Sequence, residues 1–393
     1  MADGPKRISE MSGSEREELD LFYQQVRSLN AWPLWEPEEV PQPRTLPYIW
    51  PYQTYRSLLH QAARIVPMES APRRVLVFAN PGLLGRAQAT NTLLANLQII
   101  NPGEVAPTHR HTAAALRLIV EGSGAYTAVD GEKSFMEEGD FVTTPNWTWH
   151  DHGHEGEGPM VWLDGLDVPM VTGFEAFFME QFPTPRQELT KPDELSIGLY
   201  GKGAMRPTWV KHQGSYSPLL NYKFAQAAEH LRSLAAQTDG GAHDGIQLEY
   251  VNPMTGGPAL PTMACSIQLL RRGEHTQAHR HTGGTVYHVI AGSGESVIDG
   301  VRFAWGPKDT FVVPGWSWHE HVGGEESYLF SYTDAPVLAG LDLVREEAYA
   351  ENGGFQQVTG EFSPLPGSVG LPGYHHGANA GADATPFGYG ERK

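Results

Sequence analysis

An internal repeat constrains this chain more than any other feature. His109-Arg110-His111-Thr112 returns as His279-Arg280-His281-Thr282, at an offset of 170. Gly122-Ser123-Gly124 returns as Gly292-Ser293-Gly294, and Gln98 as Gln268, both at 170. Asp130-Gly131 returns as Asp299-Gly300 at 169. Pro145, Trp147, Trp149 and His150 return as Pro314, Trp316, Trp318 and His319, also at 169. A nearly constant offset through separate features marks a duplication. The chain must therefore fold as two copies of one unit of roughly 100 residues, with extensions.

The unit is built of strands. From Arg74 onward, short apolar or β-branched runs alternate with Gly, Pro, Asn and Asp. Strands are expected at Val75–Phe78, Leu94–Ile100, Leu116–Val120, Ala125–Val129 and Phe141–Thr144. Asp130-Gly131 supplies a hairpin turn. Strand-like runs resume from Ile246 to about Thr333. The 44 glycines and 30 prolines fit a turn-rich, all-β chain. Helices are expected at Glu15–Val26, Tyr55–Ile65 and Phe224–Ala236, with an extended arm at 36–53. The predicted division is a helical and extended arm at 1–73 and a first β domain at 74–172. A linker at 173–245, a second β domain at 246–345 and a loosely draped Gly/Pro-rich tail at 346–393 follow. The tail pair His375-His376 reads as solvated.

Composition narrows the function. A net charge of −18 disfavours nucleic acid and anionic membranes as partners, because both need basic patches. It also repels small anions, so an anionic substrate needs locally placed arginines. No run approaches the ~18 apolar residues of a membrane span. The polar N-terminus does not read as a signal peptide. The single cysteine, Cys265, excludes an internal disulfide and thiolate metal clusters, and a cytoplasmic protein is the expectation.

His109-x-His111 on a strand places both imidazoles on one face, because side chains alternate with period 2. His150, after a Pro-x-Trp-x-Trp turn, can join them from a paired strand. The three make a candidate site for Fe, Zn, Cu or Ni. Three neutral ligands leave the ion its charge and open positions. His279, His281 and His319 form a candidate second site. The rival reading, surface histidines on strands, does not account for three histidines duplicated together.

The spacing Gly103, five residues, His109-x-His111 resembles the first cupin motif. Gly139, five residues, Pro145 and then His150 resembles the second. The glutamate usual in the first motif is absent: Ala115 and Leu116 stand there, and Thr285 and Val286 in the second copy. Wider runs are similar to gentisate 1,2-dioxygenases and their salicylate and 1-hydroxy-2-naphthoate relatives. They include Asn80-Pro81-Gly82-Leu83, Pro102-Gly103-Glu104-Val105-Ala106-Pro107-Thr108, Trp149-His150-Asp151-His152, Val161-Trp162-Leu163-Asp164-Gly165-Leu166-Asp167 and Asn252-Pro253-Met254-Thr255-Gly256-Gly257-Pro258. The likeness covers about residues 20–350. It implies a bicupin of two double-sheet jelly-roll barrels and a homotetramer. It also implies Fe(2+) at His109, His111 and His150, with O2 and a hydroxylated aromatic carboxylic acid as substrates. The ring would open between the carboxyl- and hydroxyl-bearing carbons, giving maleylpyruvate from gentisate.

The same resemblance suggests further roles. Arg117, six residues after His111, would grip the carboxylate. Arg73 or Arg74 would be a second anion contact, and Gln98 a hydrogen-bond donor. His152, on the face of His150, would move a proton. Asp164 would orient a histidine or sense a ring substituent. The bland alternatives are a surface ion pair for Arg117, a core histidine for His152 and a turn residue for Asp164. Leu94 and Asn96 stand where the family often has an aromatic residue and a glycine, which leaves room for a bulkier or differently substituted ring. Tyr287 takes the place of Arg117 in the second copy. The rival classes are a metal-dependent cupin isomerase and a non-enzymatic binding bicupin.

Overall fold

The computed structural model describes residues 11–31, 44–68, 70–83, 85–203, 205–212 and 214–364. The chain divides into two units, Met1–Pro43 and Arg44–Lys393. The first contributes helix α1 (Gly13–Ser28), opened by a capping box between Ser12 and Glu15. Part of the expected arm, 36–43, and the tail from 365, with His375 and His376, lie outside the described residues.

The second unit opens with β1 (Tyr48–Trp50) and α2 (Tyr52–Ile65). The first jelly roll then runs through β2 (Arg74–Val77), β3 (Leu94–Ile100), β4 (Val105–His111), β5 (Ala115–Glu121) and β6 (Ala125–Val129). It continues with β7 (Glu132–Phe135), β8 (Phe141–Thr144), β9 (His150–His154) and β10 (Met160–Leu166). Helix α3 (Val168–Gly173), β11 (Met179–Gln181), α4 (Leu195–Tyr200), β12 (Asn221–Tyr222) and α5 (Phe224–Ala235) lead to the second jelly roll. That copy comprises β13 (Ile246–Glu249), β14 (Ala264–Leu270), β15 (His279–His281), β16 (Thr285–Ala291) and β17 (Gly294–Ile298). It is completed by β18 (Val301–Trp305), β19 (Thr310–Val313), β20 (His319–Gly323) and β21 (Ser327–Thr333). Helix α6 (Ala335–Gly340), β22 (Glu346–Ala348) and β23 (Gly360–Glu361) follow.

Each jelly roll has two sheets. In the first, β12-β8-β5-β10-β3-β2 faces β11-β4-β9-β6-β7. In the second, β1-β19-β16-β21-β14-β13 faces β22-β15-β20-β17-β18-β23. The duplication holds down to register: Leu97 pairs Leu163 in the first copy, and Ile267 pairs Phe330 in the second.

The sheets β12-β8-β5-β10-β3-β2 and β1-β19-β16-β21-β14-β13 are apolar on their outer faces as well. Leu97, Leu116, Leu118 and Val161 of the first copy share one core with Ile267, Val286, Val312 and Phe330 of the second. The copies therefore pack against each other, and the strands in between are buried on both sides. This frees the inner face of the first large sheet to carry polar residues around a site. Smaller clusters fill the interiors, around Trp162 in the first copy and around Tyr287, Phe311 and Trp305 in the second.

Three expectations need adjustment. The segment 173–245 is more than a linker, since β11 pairs with the histidine strand β4 and β12 with β8. Residues 353–362 are not loosely draped: β23 runs parallel to β18, and Gln356 accepts from the Gly300 amide at 3.0 Å. The arm at 48–50 is a strand of the second jelly roll, pairing β19, although it precedes the first in sequence.

Candidate active site

Strands β4 and β9 pair so that His109 lies opposite His150, and His111 follows two residues along the same face. The ring centroids are 5.2, 4.3 and 4.9 Å apart for the pairs 109/111, 109/150 and 111/150. One nitrogen from each ring lies within 4.8 Å of the others. The Nδ1 atoms are held by backbone carbonyls: His111 by Ala113 at 2.8 Å, His150 by Thr148 at 3.0 Å and His109 by Pro107 at 3.3 Å. For His111 and His150 that fixes the proton on Nδ1 and leaves Nε2 as the atom that could hold a metal. Burial holds all three rings neutral, as coordination requires. His111 is pushed down to about 4, and His109 and His150 lie well below the ordinary range.

The facing sheet brings a charged row across its inner surface. Arg117 on β5 lies opposite Asp164 on β10, which lies opposite Asn96 on β3. Arg117 Nε sits 3.3 Å from Asp164 Oδ1, and a second guanidinium nitrogen donates to Thr144. Asp164 also accepts from the Trp162 indole at 3.1 Å. Burial raises Asp164 to about 6, with Arg117 opposing the shift. Leu94, Asn96 and Gln98 alternate along β3 onto this same inner face, and Gln98 pairs with Trp162.

Arg73 reaches the cluster from the segment before β2. One of its Nη atoms donates to the Pro107 carbonyl at 2.7 Å and also contacts His109 Nδ1. Burial and the nearby Arg117 lower its guanidinium to about 9. His109 cannot donate to Pro107 and accept from Arg73 with the same nitrogen. A ring ligating through Nε2 keeps its proton on Nδ1, so Arg73 is then available to another acceptor.

A cupin domain model matches residues 96–167 and 266–329. Gentisate 1,2 dioxygenase 1 of Aquipseudomonas alcaligenes is 42 % identical over 83 % of this chain and 95 % of its own length. The 5-aminosalicylate 1,2-dioxygenase of Comamonas sp is 38 % identical over 88 % and 94 %. Among solved structures, a salicylate 1,2-dioxygenase from Pseudaminobacter salicylatoxidans superposes with a TM-score of 0.78 at 30 % identity, covering 88 % of this chain and 99 % of that one. The chain belongs to the gentisate 1,2-dioxygenase family. It is a bicupin of a family of ring-cleaving dioxygenases.

Within that family frame, the sequence-predicted residues fall into three groups. His109, His111, His150, His152, Arg117, Asp164 and Arg73 converge, with Asn96, Gln98 and Leu94 on the inner face beside them. Arg74 does not join them. It is spent on the Ala63 carbonyl at 2.9 Å and on an ion pair with Glu104, because it is the first residue of β2 and its side chain turns toward α2. Two arguments also need correction. Arg117 and His111 lie on different sheets, so their even spacing does not place Arg117; its pairing with Asp164 does. Asp164 orients Arg117 and accepts from Trp162, and no histidine bonds it among the described residues.

His152 is fully buried, and its Nδ1 lies 3.0 Å from Thr127 Oγ1. Its Nε2 is buried without a hydrogen-bond partner among the described residues. Thr127 was not anticipated. The repeat could have revealed it, because Ser296 keeps a hydroxyl at the same offset and lies 2.7 Å from His321. The repeated tryptophan pairs each grip an arginine: Trp147 and Trp149 both hold the Arg110 guanidinium at 4.4 Å, and Trp316 and Trp318 hold Arg280 at 4.5 and 4.3 Å.

Proposed function

We propose that this chain is an Fe(II)-dependent dioxygenase that opens gentisate between its carboxyl- and hydroxyl-bearing carbons, giving maleylpyruvate. The observation that carries this reading is the apposition of three neutral imidazoles on one sheet and buried arginine on the facing sheet. The residues present fit a divalent iron ion: the donors are all imidazole nitrogens, no carboxylate joins their cluster among the described residues, and Nδ1 hydrogen bonds orient the rings. When bound, the iron would supply open positions for substrate oxygens and dioxygen and the redox chemistry that ring opening needs.

The protein's own groups do the rest. Arg117 holds Nε in ion-pair contact with Asp164, without a hydrogen bond among the described residues, and gives one Nη to Thr144, which leaves its second Nη for the substrate carboxylate. Arg73, released from His109 Nδ1, adds a second cation. Together they offset the long-range repulsion expected from a charge of −18. Neutral His152 offers its unpartnered Nε2 to the phenolic oxygen beside the metal and shuttles its proton. Gln98 donates a hydrogen bond from the same wall. Asn96, whose Oδ1 is buried without a partner among the described residues, suits a ring hydroxyl or amino group. That observation favours gentisate over unsubstituted salicylate and keeps 5-aminosalicylate as the second reading.

The proposal includes a cytoplasmic homotetramer. The lone buried Cys265 supports a reducing compartment, and exposed Phe174, Phe178, Leu341 and Val344 support association.

Oxygen-electrode measurements on the ferrous protein test the function. Gentisate is expected to drive uptake with the highest kcat/KM, ahead of 5-aminosalicylate, salicylate and 1-hydroxy-2-naphthoate. An iron-loaded protein that consumes no oxygen with any of these acids overturns the dioxygenase reading. Activity retained with zinc in place of iron would favour a non-redox cupin isomerase.

A further inference from the structure

The second histidine triad repeats the geometry of the first and inverts its surroundings. Its ring centroids are 5.5, 4.4 and 5.1 Å apart for the pairs 279/281, 279/319 and 281/319. One nitrogen of each ring again lies within 4.8 Å of the others. His319 Nδ1 is held by the Ser317 carbonyl at 3.1 Å, His281 Nδ1 by Thr282 at 3.2 Å, and His279 Nδ1 by the Glu346 carboxylate at 3.3 Å. A carboxylate behind a ligating imidazole raises its basicity and strengthens metal binding. The Nε2 atoms of His279 and His319 are buried with no hydrogen-bond partner among the described residues. Two buried nitrogens left unpaired are costly unless an ion satisfies them.

The substrate side of this second copy is filled. Tyr287 stands where the first copy has Arg117, and it stacks on Phe311 at 4.9 Å and 7°. Phe311 replaces Val142, and Ser331 replaces Asp164 in the matching register. The carboxylate clamp is gone, and aromatic rings occupy its space.

The approach to the metal ligands carries the opposite charge. In the first copy, Arg73 comes from just before β2 onto His109. In the second, the turn just before β13 brings Asp244, with Oδ1 4.0 Å from His279 Nε2. That turn is pinned. Gly241 and Gly245 exchange backbone hydrogen bonds at 2.8 Å, and Gln268 donates to the Asp244 carbonyl at 2.7 Å. His243 lies flat on His279 at 4.7 Å and 7°. Two donors that share an ion at about 2.0–2.2 Å lie about 3–4 Å apart. Asp244 stands at the edge of that range from His279 and outside the 4.8 Å cluster of the three imidazoles, so a turn of its part-exposed side chain is what brings it onto a shared ion.

We propose that His279, His281, His319 and Asp244 hold a second divalent ion of the zinc and ferrous type in a closed, four-ligand site that takes no aromatic acid. Three imidazoles and one carboxylate make a filled tetrahedral set, which is the pattern of a structural ion. The ion fastens the 241–245 turn and, through Glu346, strand β22 to the second jelly roll.

The test counts metal in the full chain. With the first site removed by His109→Ala/His111→Ala, zinc loading followed by desalting is expected to leave one ion per chain by elemental analysis. Added zinc should also raise Tm in a concentration-dependent way. Asp244→Lys in that background should lower zinc affinity at least tenfold and abolish the Tm rise. It alters a half-exposed turn residue and so keeps the test open if His279→Ala/His319→Ala fails to fold. A first-site-null chain that retains no zinc overturns the proposal. Unchanged affinity in Asp244→Lys overturns the fourth ligand. Metal count and Tm are independent of oxygen uptake, so failure here and failure of the dioxygenase reading are distinguishable.

Discussion

At the scale of single residues, the site works by holding charges where water cannot reach them. Arg117 and Asp164 are both almost fully buried and 3.3 Å apart. Removing one member of such a pair leaves the other uncompensated, at a cost of about 3–5 kcal/mol. Arg117→Met is therefore expected to lower stability by that order and to raise KM for the aromatic acid roughly 10–100-fold, through loss of a charge-assisted contact. Adding Asp164→Leu should restore much of the stability without restoring KM. Denaturant unfolding and steady-state kinetics on both variants separate the two effects. Full recovery of KM in the double variant would show that Arg117 only balances Asp164. For the ligands the outcome is simpler. His150→Ala should abolish oxygen uptake and reduce bound iron, because two remaining imidazoles leave the site one donor short; retention of full activity removes His150 from the ligand set.

Elements explain why some residues were legible in the sequence and others were not. The central strands β3, β6 and β8 have the boundaries that alternation and Gly/Pro punctuation predict, because their own residues decide them. The flanking strands do not. Glu346-Glu347-Ala348 has little strand propensity, and it becomes β22 only because the open edge of β15 offers hydrogen bonds. Met179–Gln181 pairs with β4 in the same way. The His-x-His ligands were readable from spacing, whereas Asp244 was not, because a turn before an edge strand leaves no periodic trace. The orientation of Arg74 was equally hidden, since it depends on the end of α2. That helix supplies a further prediction. Arg56 forks onto Glu121 of β5 with two contacts of 2.6 Å, and Tyr52 donates to the same carboxylate at 2.8 Å. These partners hold Glu121 down to about 2, Arg56 contributing most. A carboxylate with a depressed pKa in the folded state stabilises above its unfolded value and loses that contribution as pH falls. Glu121→Gln should thus cost about 1 kcal/mol near neutral pH, limited by the partial exposure of the pair. The difference from the parent should shrink as pH falls from about 4.5 toward 2. Urea unfolding across that range checks it, and a pH-independent difference would assign the loss to packing.

For the molecule as a whole, the decisive fact is that the largest core lies between the two copies as well as within them. Phe330 and Ile267 of the second copy belong to the cluster that contains Leu97, Leu116 and Phe141 of the first. The Tyr332 hydroxyl donates to the Leu94 carbonyl at 2.9 Å, and Thr92 donates to Asp334 at 2.6 Å. Strand β1 begins the folded unit and joins the last jelly roll. Cutting between the copies would expose the apolar outer face of a sheet whose inner face is already committed to the site. The copies should therefore unfold together, even though the repeat suggests independent domains. Phe330→Ala provides the sharpest check, because Phe330 is fully buried and lies in the copy without the aromatic-acid site. It is expected to cost about 3–5 kcal/mol. In a two-state molecule that cost appears as one shifted transition. Loss of near-ultraviolet dichroism, exposure of tryptophan and release of iron from His109, His111 and His150 should then coincide at the lower temperature. Two separated steps, with iron retained through the first, would mean that the first jelly roll stands without its partner.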